Sequence, residues 1–175
     1  NVSHSPLYLT EGSEAMRKLI VANGGAGSPL LAALILGESD KAVQIIRDDP
    51  TSMNDRLPSG NVDTPLHMAA KAGNIKIAKL LLEAGMDVDT LSLNGKTTLE
   101  MSPELYCSFE MMQLLVENGA DVRVNNDAPL HNAIWQHAYG HENYEQVIRY
   151  IASKGSQPRG LHHCARGGNL PATKL

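Results

Sequence analysis

Apolar positions along residues 63–85 recur with the period of a helix. In the stretch DTPLHMAAKAGNIKIAKLLLEAG, the side chains of Ile77, Leu80 and Leu81 fall on one helical face, because residues three and four apart lie side by side. The two alanines at 69–70 are small and let another helix approach closely. The segment therefore predicts two antiparallel helices that share one apolar side.

Residues suited to helix ends mark the limits of both helices. Thr64 can accept a backbone N–H as an N-cap, and Pro65 follows at the first helical position, where its missing N–H costs nothing. Gly73 can adopt the left-handed conformation that ends a helix. Asn74 then caps the second helix, which ends at Gly85. We therefore expect a short helix, a tight turn and a longer helix.

The same helix start recurs along the chain. After Thr64, TTLE begins at Thr97, APLH at Ala128 and RGLH at Arg159, at steps of 33, 31 and 31 residues. Upstream, SPLL at Ser28 and a shorter SPLY segment follow the same pattern. A period of about 20–50 residues is typical of repeat proteins. In these proteins each helix pair buries its apolar side against its neighbours.

The period and the TPLH stretch resemble the ankyrin repeat family. The resemblance covers nearly the whole chain and is strongest at 59–91. It implies an all-α fold, namely an ankyrin-repeat solenoid of stacked helix-turn-helix units with β-hairpin-like fingers, in a single domain over residues 1–175. The approximate repeats are 1–27 (degenerate), 28–58, 59–91, 92–125, 126–157 (with an insertion near 137–143) and 158–175 (truncated).

Two repeats depart from the family pattern. Thr98 and Glu100 stand where the motif has Pro and His, and Pro103 is expected to shorten or bend that first helix. The repeat that starts at Ala128 is six residues longer than the one that starts at Thr64, and the extra residues fall within 137–143. These irregularities are typical of a natural, specialised array.

The triplet His162-His163-Cys164 could suggest a nucleophile with its base, but it aligns with residues 67–69 of the clearest repeat. The resemblance implies that His67, His131 and His162 bridge neighbouring repeats by hydrogen bonds. Cys164 falls on an alanine position, where a thiol acts as a small apolar group. The triplet is therefore interpreted as a repeat start. The same alignment places Leu175 in the middle of a second helix, so we expect the chain to continue.

No constellation in the sequence predicts an enzyme, a metal site or a cofactor. His137 and His141 share a helical spacing, but no third ligand lies at a standard distance. Cys107 falls in a turn where it could be accessible, and without a basic neighbour we expect an ordinary pKa for its thiol. No carboxylate pair occupies matched positions that would suggest acid–base work.

Composition and charge narrow the class of partner. The formal net charge is −4 and the pI is near 6.0, which argues against binding to nucleic acid. No apolar run approaches the ~20 residues needed to cross a bilayer, so no membrane insertion is expected. Two cysteines are too few for a disulfide framework, which favours a reducing compartment. We expect a cytoplasmic monomer, or one in the host cytosol if it is a secreted bacterial effector.

In the ankyrin family the first helices and the fingers form the concave side, so the resemblance implies that a partner protein binds there. The positions four, seven and eight after each helix start are expected to face outward, and this stripe is apolar for a solvated surface. The predicted outward positions are Ala32, Ile35, Leu36, Met68, Lys71, Ala72, Met101, Glu104, Leu105, Asn132, Trp135 and Gln136.

The fingers differ in length, so finger contacts are expected to centre on the repeats around Thr64 and Thr97. Alternatively, neighbouring repeats or the insertion cover the stripe, with Tyr139 and Tyr144 folded over Trp135. The candidate partner-binding residues are Asn61, Asp63, Met68, Lys71, Leu91, Leu93, Lys96, Met101, Leu105, Arg123, Asn126, Asn132, Trp135, Gln136 and Tyr139.

Two functions remain open from the sequence. The first is a scaffold that holds a partner protein on its concave surface. The second is a substrate-targeting or regulatory arm of a larger enzyme or bacterial effector whose catalytic domain lies outside this chain. Direct catalysis by Cys164 with a neighbouring histidine is the least favoured, because an isolated Cys-His adjacency rarely forms a triad.

Overall fold

The computed structural model describes residues 14–55, 64–92, 94–103, 107–138 and 144–157. Contacts between residues divide the chain into an N-terminal unit, Asn1–Thr98, and a C-terminal unit, Leu99–Leu175. Over the described ranges the regular secondary structure is helical and contains no strand. The all-α prediction is therefore confirmed.

Nine α-helices and a 3₁₀ helix make up the described part of the chain. They are α1 Glu14–Ala22, α2 Pro29–Leu36, α3 Ser39–Asp48, the 3₁₀ helix Pro50–Asn54, α4 Pro65–Lys71, α5 Ile75–Glu83, α6 Thr98–Met101, α7 Phe109–Glu117, α8 Val124–Ala138 and α9 Tyr144–Ser153.

In the N-terminal unit the helices form antiparallel pairs that stack on one another. Helix α2 packs on α3 and α4 packs on α5, and each pair is a first helix followed by a second helix. The first helix α2 also contacts α4, and the second helix α3 contacts α5. First helices thus lie against first helices and second against second. This is the arrangement that a stacked repeat requires.

The predicted end signals act as hydrogen-bonding caps. Ser28 Oγ accepts the backbone N–H of Leu31 at 3.2 Å at the start of α2. Asn74 Oδ1 accepts the N–H of Ile77 at 3.1 Å at the start of α5. Between α4 and α5, Gly73 has a φ of 64°, the left-handed value expected there. Each side-chain cap stabilises its helix by ~1 kcal/mol relative to alanine.

His67 is fully buried and ties α4 to the following finger. Its Nδ1 accepts the backbone N–H of Thr64 at 3.3 Å, while Thr64 Oγ1 accepts the His67 N–H at 3.3 Å. Because Nδ1 is an acceptor, the ring proton sits on Nε2, which donates to the carbonyl oxygen of Lys96 at 3.2 Å. The bridging role implied for His67 is therefore present within the N-terminal unit.

In the C-terminal unit the first helix α6 is only four residues long. It ends at Met101, two residues before Pro103, as predicted from the proline. Glu100 occupies the histidine position of the motif and is buried, and its Oε2 accepts the Nδ2 of Asn125 at 2.7 Å. The Glu100 carbonyl oxygen accepts the Nδ2 of Asn132 at 3.0 Å. A carboxylate thus replaces the imidazole as the bridge to the next finger.

After its first residue, Val124, helix α8 contains three consecutive residues whose backbone lies in the left-handed region. Their φ values are 49° at Asn125, 58° at Asn126 and 64° at Asp127. Asn and Asp tolerate this region better than other side chains except glycine, because their short polar groups hydrogen-bond locally. The preceding finger is three residues shorter than the one before Thr97. The left-handed turn therefore brings the chain to Pro129 in fewer residues.

The turn also places a buried carboxylate. Asp127 is 5% exposed, and its Oδ1 accepts the hydroxyl of Ser156 at 2.8 Å and the backbone N–H of Gln157 at 3.0 Å. Both donors lie just after α9, which packs on α8. Asp127 therefore holds the end of the second helix against the start of the first helix.

Tyr144 lies at the start of α9 and is 5% exposed. Its hydroxyl donates to the carbonyl oxygen of Pro103 at 2.9 Å. The hydroxyl therefore satisfies the carbonyl that the shortened helix α6 leaves without a helical partner.

Cys107 belongs to the core of the C-terminal unit. It is 7% exposed, and its backbone N–H donates to the carbonyl of Ser102 at 3.0 Å. Burial raises the pKa of its thiol from 9.0 to about 11, because a thiolate would lose its hydration. The expectations of an accessible side chain and an ordinary pKa are both wrong, since the turn is covered by packed helices.

We predict that Asp127→Ala lowers the free energy of unfolding by about 2–4 kcal/mol, because it leaves two donors without an acceptor and places alanine in the left-handed region. Urea titration followed by far-UV circular dichroism measures the change. Asp121→Ala is the matched control, since Asp121 is exposed and its Oδ1 accepts the exposed N–H of Arg123. Its expected loss is at most about 1 kcal/mol. Asp127→Asn keeps the accepting oxygen, so a loss as large as that of alanine would contradict this account.

We also predict that Cys107 resists alkylation at pH 8 in the folded chain. With Cys164→Ser present to isolate it, its rate should be about a hundredfold below that in guanidinium, because a pKa of about 11 instead of 9.0 lowers the thiolate fraction by that factor. The folded-state rate should rise steeply towards pH 11. Mass spectrometry of timed samples gives both rates, and equal rates at pH 8 would refute the burial.

Candidate functional site

The first helices bury more of the predicted stripe than expected. Met68 is 7% exposed and Ile35 is 4% exposed, so the expectation that they face outward is wrong. The physical reason is that α2 and α4 pack on each other as well as on their second helices. In α4 the first six residues, 65–70, are all buried. Met68 therefore contributes to the core.

Among the predicted contact positions of the N-terminal unit, the exposed ones lie at the end of α4 and on the finger after α5. Lys71 is half-buried and Ala72 is exposed, and Ala32 and Leu36 of α2 are half-buried. Leu91 is 53% exposed, although leucine is a residue that folding normally buries. The finger therefore presents the large apolar side chain that the first helices of this unit do not.

Short hydrogen bonds shape the finger. The Ser92 N–H donates to the Lys96 carbonyl at 2.9 Å, and the Gly95 N–H donates to the Ser92 carbonyl at 3.0 Å. The Lys96 N–H donates to Ser92 Oγ at 3.3 Å, and its carbonyl accepts from His67 as described above. Lys96 is thus held by its backbone while its side chain is half-buried. The hairpin-like turn holds Leu91 and Lys96 on one finger.

In the C-terminal unit the outward residue is aromatic. Trp135 of α8 is 47% exposed, so about half of its surface is open to solvent. Asn132, Gln136 and Met101 are half-buried. The Asn132 amide is engaged by the Glu100 carbonyl, so this residue acts at least in part as a bridge within the unit.

The finger of the C-terminal unit carries polar side chains. Arg123 and Asn126 are exposed. The backbone N–H of Arg123 donates to Asp121 Oδ1 at 2.9 Å. The remaining sequence-predicted positions lie outside the described residues: Asn61, Asp63, Leu93, Glu104, Leu105, Tyr139, His141, His162, His163 and Cys164.

One exposed apolar residue was not anticipated. Leu19 of α1 is 58% exposed. It lies on α1, which the search for outward positions on first helices did not cover. Because its exposure exceeds that of Leu91, a substitution at Leu19 shows what exposure alone contributes to binding.

The second helices carry a different kind of surface. Exposed ion pairs join Lys76 to Asp40 at 2.9 Å and Arg149 to Glu145 at 2.7 Å. The hydrogen bond and charge of Lys76 lower the pKa of Asp40, and Arg149 does the same for Glu145. Such exposed pairs add little stability but keep this side hydrated. The exposed ion pairs therefore lie on second helices, whereas Leu91 lies on a finger and Trp135 on a first helix.

The chemistry of the described residues is that of a contact surface. Across the described ranges, no group of three or more His, Cys, Asp or Glu side chains could hold a metal ion. None of the helices in those ranges is both long and apolar enough to span a bilayer. Trp135 and Leu91 offer apolar area, and the flanking amides offer hydrogen bonds. This combination suits the recognition of another macromolecule.

Comparison with known proteins identifies the repeat. A family model described as ankyrin repeats (3 copies) matches residues 11–126, which is more than half of the chain. The chain is 34% identical over 84 residues to the probable 26S proteasome regulatory subunit p28 of Saccharomyces cerevisiae, covering 45% of this chain and 36% of that protein.

Two further relatives match over longer segments. The putative E3 ubiquitin-protein ligase XBAT31 of Arabidopsis thaliana is 29% identical over 137 residues, covering 76% of this chain and 28% of that protein. A putative ankyrin repeat-containing protein of Treponema pallidum is 30% identical over 123 residues, covering 69% and 38%.

The chain therefore spans roughly a third of the length of these relatives. The family match and the stacked, capped helix pairs agree with the resemblance found in the sequence. The chain belongs to the ankyrin repeat family.

Proposed function

We propose that this chain is a scaffold that binds a partner protein through its first helices and fingers. Ankyrin repeats generally mediate protein–protein interaction and are typically not catalytic. The observation that carries the proposal is the exposure of Trp135, at 47%, on the first helix α8. A large aromatic side chain left in water on a rigid helix is typical of residues that dominate binding energy.

The N-terminal unit supports the same proposal by a different residue. Leu91 is 53% exposed on a finger whose backbone is closed by hydrogen bonds. Because the finger is already ordered, a partner that covers Leu91 pays little conformational entropy to fix it. Lys71 and Lys96 are half-buried charged side chains of the same unit and provide a polar rim. The proposed contact residues are therefore Lys71, Leu91, Lys96, Arg123, Asn126, Asn132, Trp135 and Gln136.

The paired charges of the second helices argue that the opposite side stays in water. Ion pairs such as Lys79–Glu83 and Lys41–Glu38 satisfy each other on the surface of the N-terminal unit. Covering them would require both charges to lose hydration without a new partner. A partner therefore gains more from the first-helix and finger side.

A second function is favoured by the length of the relatives. Because the chain spans about a third of proteins that include a putative E3 ubiquitin-protein ligase, it could serve as the substrate-targeting or regulatory arm of a larger enzyme or effector. In that case the same surface recruits the substrate. Sequencing the parent reading frame distinguishes the two functions, because a catalytic motif would favour the arm and further repeats followed by a stop would favour the scaffold. A cytoplasmic monomer is proposed in either case.

We predict that Trp135→Ala and Leu91→Ala each weaken binding by about 1–3 kcal/mol, because each removes exposed apolar area from the proposed contact. A partner is first identified by affinity capture with the intact chain and mass spectrometry. Its dissociation constant is then measured for every variant by isothermal titration calorimetry.

Leu19→Ala is the matched control, since Leu19 is 58% exposed but lies on α1, outside the proposed contact residues. It should bind as tightly as the unaltered chain, and all three variants should keep the same melting temperature because the residues are exposed. Equal affinity for all variants would reject the surface. A loss with Leu19→Ala alone would move the contact to α1.

A further inference from the structure

The solvent-facing side of α8 carries no formal charge. All 15 residues of Val124–Ala138 are described, and Asp127 is the only Asp, Glu, Lys or Arg among them. Its carboxylate is buried, and Oδ1 accepts hydrogen bonds from Ser156 and Gln157. Apart from two imidazoles, the polar and aromatic side chains of α8 that reach solvent are Asn125, Asn126, Asn132, Trp135 and Gln136. The helix therefore meets water through amide, imidazole and indole groups.

The neighbouring first helix also keeps its carboxylate away from solvent. Glu100 of α6 is 6% exposed, and its Oε2 accepts the Nδ2 of Asn125 at 2.7 Å. In the turn before α8, Asp121 and Arg123 are both exposed and carry opposite charges. Over its described residues, the first-helix side of the C-terminal unit is therefore close to neutral.

The second helices of the same unit are charged instead. Glu110 and Glu117 of α7 are exposed, and so are Glu145 and Arg149 of α9. The guanidinium of Arg149 lies 2.7 Å from the carboxylate of Glu145. Formal charge is therefore absent from the solvent-facing side of α8, although the unit has charged side chains elsewhere.

This neutrality limits what α8 can bind. Trp135 is 47% exposed, so a partner that covers it must give up water at the contact. A carboxylate or ammonium group placed there would lose hydration without meeting an opposite charge on α8, which is unfavourable. An apolar side chain gains free energy by covering the indole. A peptide or amide group can exchange its hydrogen bonds to water for bonds to Gln136.

We infer that α8 binds an uncharged peptide segment, with an apolar side chain over Trp135 and peptide or amide groups beside Gln136. The inference rests on the proposed function, since ankyrin repeats generally mediate protein–protein interaction. Salt screens interactions between exposed charges. Because no ion pair forms at this contact, its affinity depends little on the salt concentration.

The test selects peptides from a phage-displayed library of random twelve-residue sequences on the whole chain, and removes clones that also bind the Trp135→Ala variant. Selection is carried out at pH 8, where an unperturbed imidazole is neutral, because α8 also carries His131 and His137. The recovered peptides should contain about half as many Asp, Glu, Lys and Arg residues as the library, because charged groups lose hydration at the contact.

Binding is then measured by fluorescence, because Trp135 is the only tryptophan of the chain. Each recovered peptide is synthesised with capped ends, and any tryptophan in it is replaced by phenylalanine. The dissociation constant should change by less than about twofold between about 50 and about 500 mM sodium chloride, because there are no paired charges to screen.

Two variants test the sign of the partner's charge. Gln136→Glu and Gln136→Lys should each weaken binding by about three- to tenfold, because each introduces a charge that an uncharged peptide cannot pair. Gln146→Glu and Gln146→Lys are the matched controls, since Gln146 is exposed on the second helix α9, and they should leave the dissociation constant unchanged. A gain in affinity with one Gln136 variant and a loss with the other would overturn the inference, because that pattern requires a charged partner.

The outcomes also separate this inference from the proposed function. Recovered peptides that need Trp135 but are enriched in one charge, with affinity that falls more than about tenfold at the higher salt concentration, would reject the uncharged segment and leave the proposed surface standing. A selection in which no clone depends on Trp135 would reject both.

Discussion

One constraint recurs in both units, which is that a buried polar group near the start of the first helices α4 and α6 must be satisfied by the next finger. His67 meets it by donating from Nε2 to the Lys96 carbonyl at 3.2 Å. Glu100 meets it by accepting from Asn125 at 2.7 Å. An unsatisfied buried group would cost about 1–3 kcal/mol. The constraint therefore links the helix pairs that begin with α4 and α6 to the conformation of the loop that follows each of them.

This constraint divides the side chains into those that hold the repeats together and those that are open to contact with a partner protein. Asn132 shows the overlap, because its position faces outward in the motif but its amide is bound to the Glu100 carbonyl. Met68 lies still further inside, at 7% exposure. What remains for recognition is a small set of side chains, such as Trp135 and Leu91, on backbone that is already ordered. Rigid presentation of few apolar residues favours specific contact over large area.

The sequence predicted the parts of the fold that depend on local chemistry. The caps at Ser28 and Asn74 and the early end of α6 before Pro103 follow from residue type alone, and all are present. The buried side chains of Met68 and Cys107 were missed because their exposure is decided by neighbouring helices, which a single repeat does not reveal. The left-handed turn at 125–127 was missed because it is set by finger length together with the Asp127 contacts.

Finger length explains why the same motif position is bridged to the next finger in two different ways, by His67 and by Glu100. Where the finger is long, His67 reaches a backbone carbonyl, and the tip turns through Asn94 and Gly95. Where it is three residues shorter, the chain turns through Asn125, Asn126 and Asp127, each costing about 1–2 kcal/mol of backbone strain in a generic residue. That strain is offset because the turn places Asp127 on Ser156 and Asn125 on Glu100. The short finger presents an amide donor, Asn125, where the long finger presents a carbonyl acceptor, Lys96. Glutamate at position 100 therefore matches the Asn-Asn-Asp turn, because a carboxylate accepts the hydrogen bond that this turn offers.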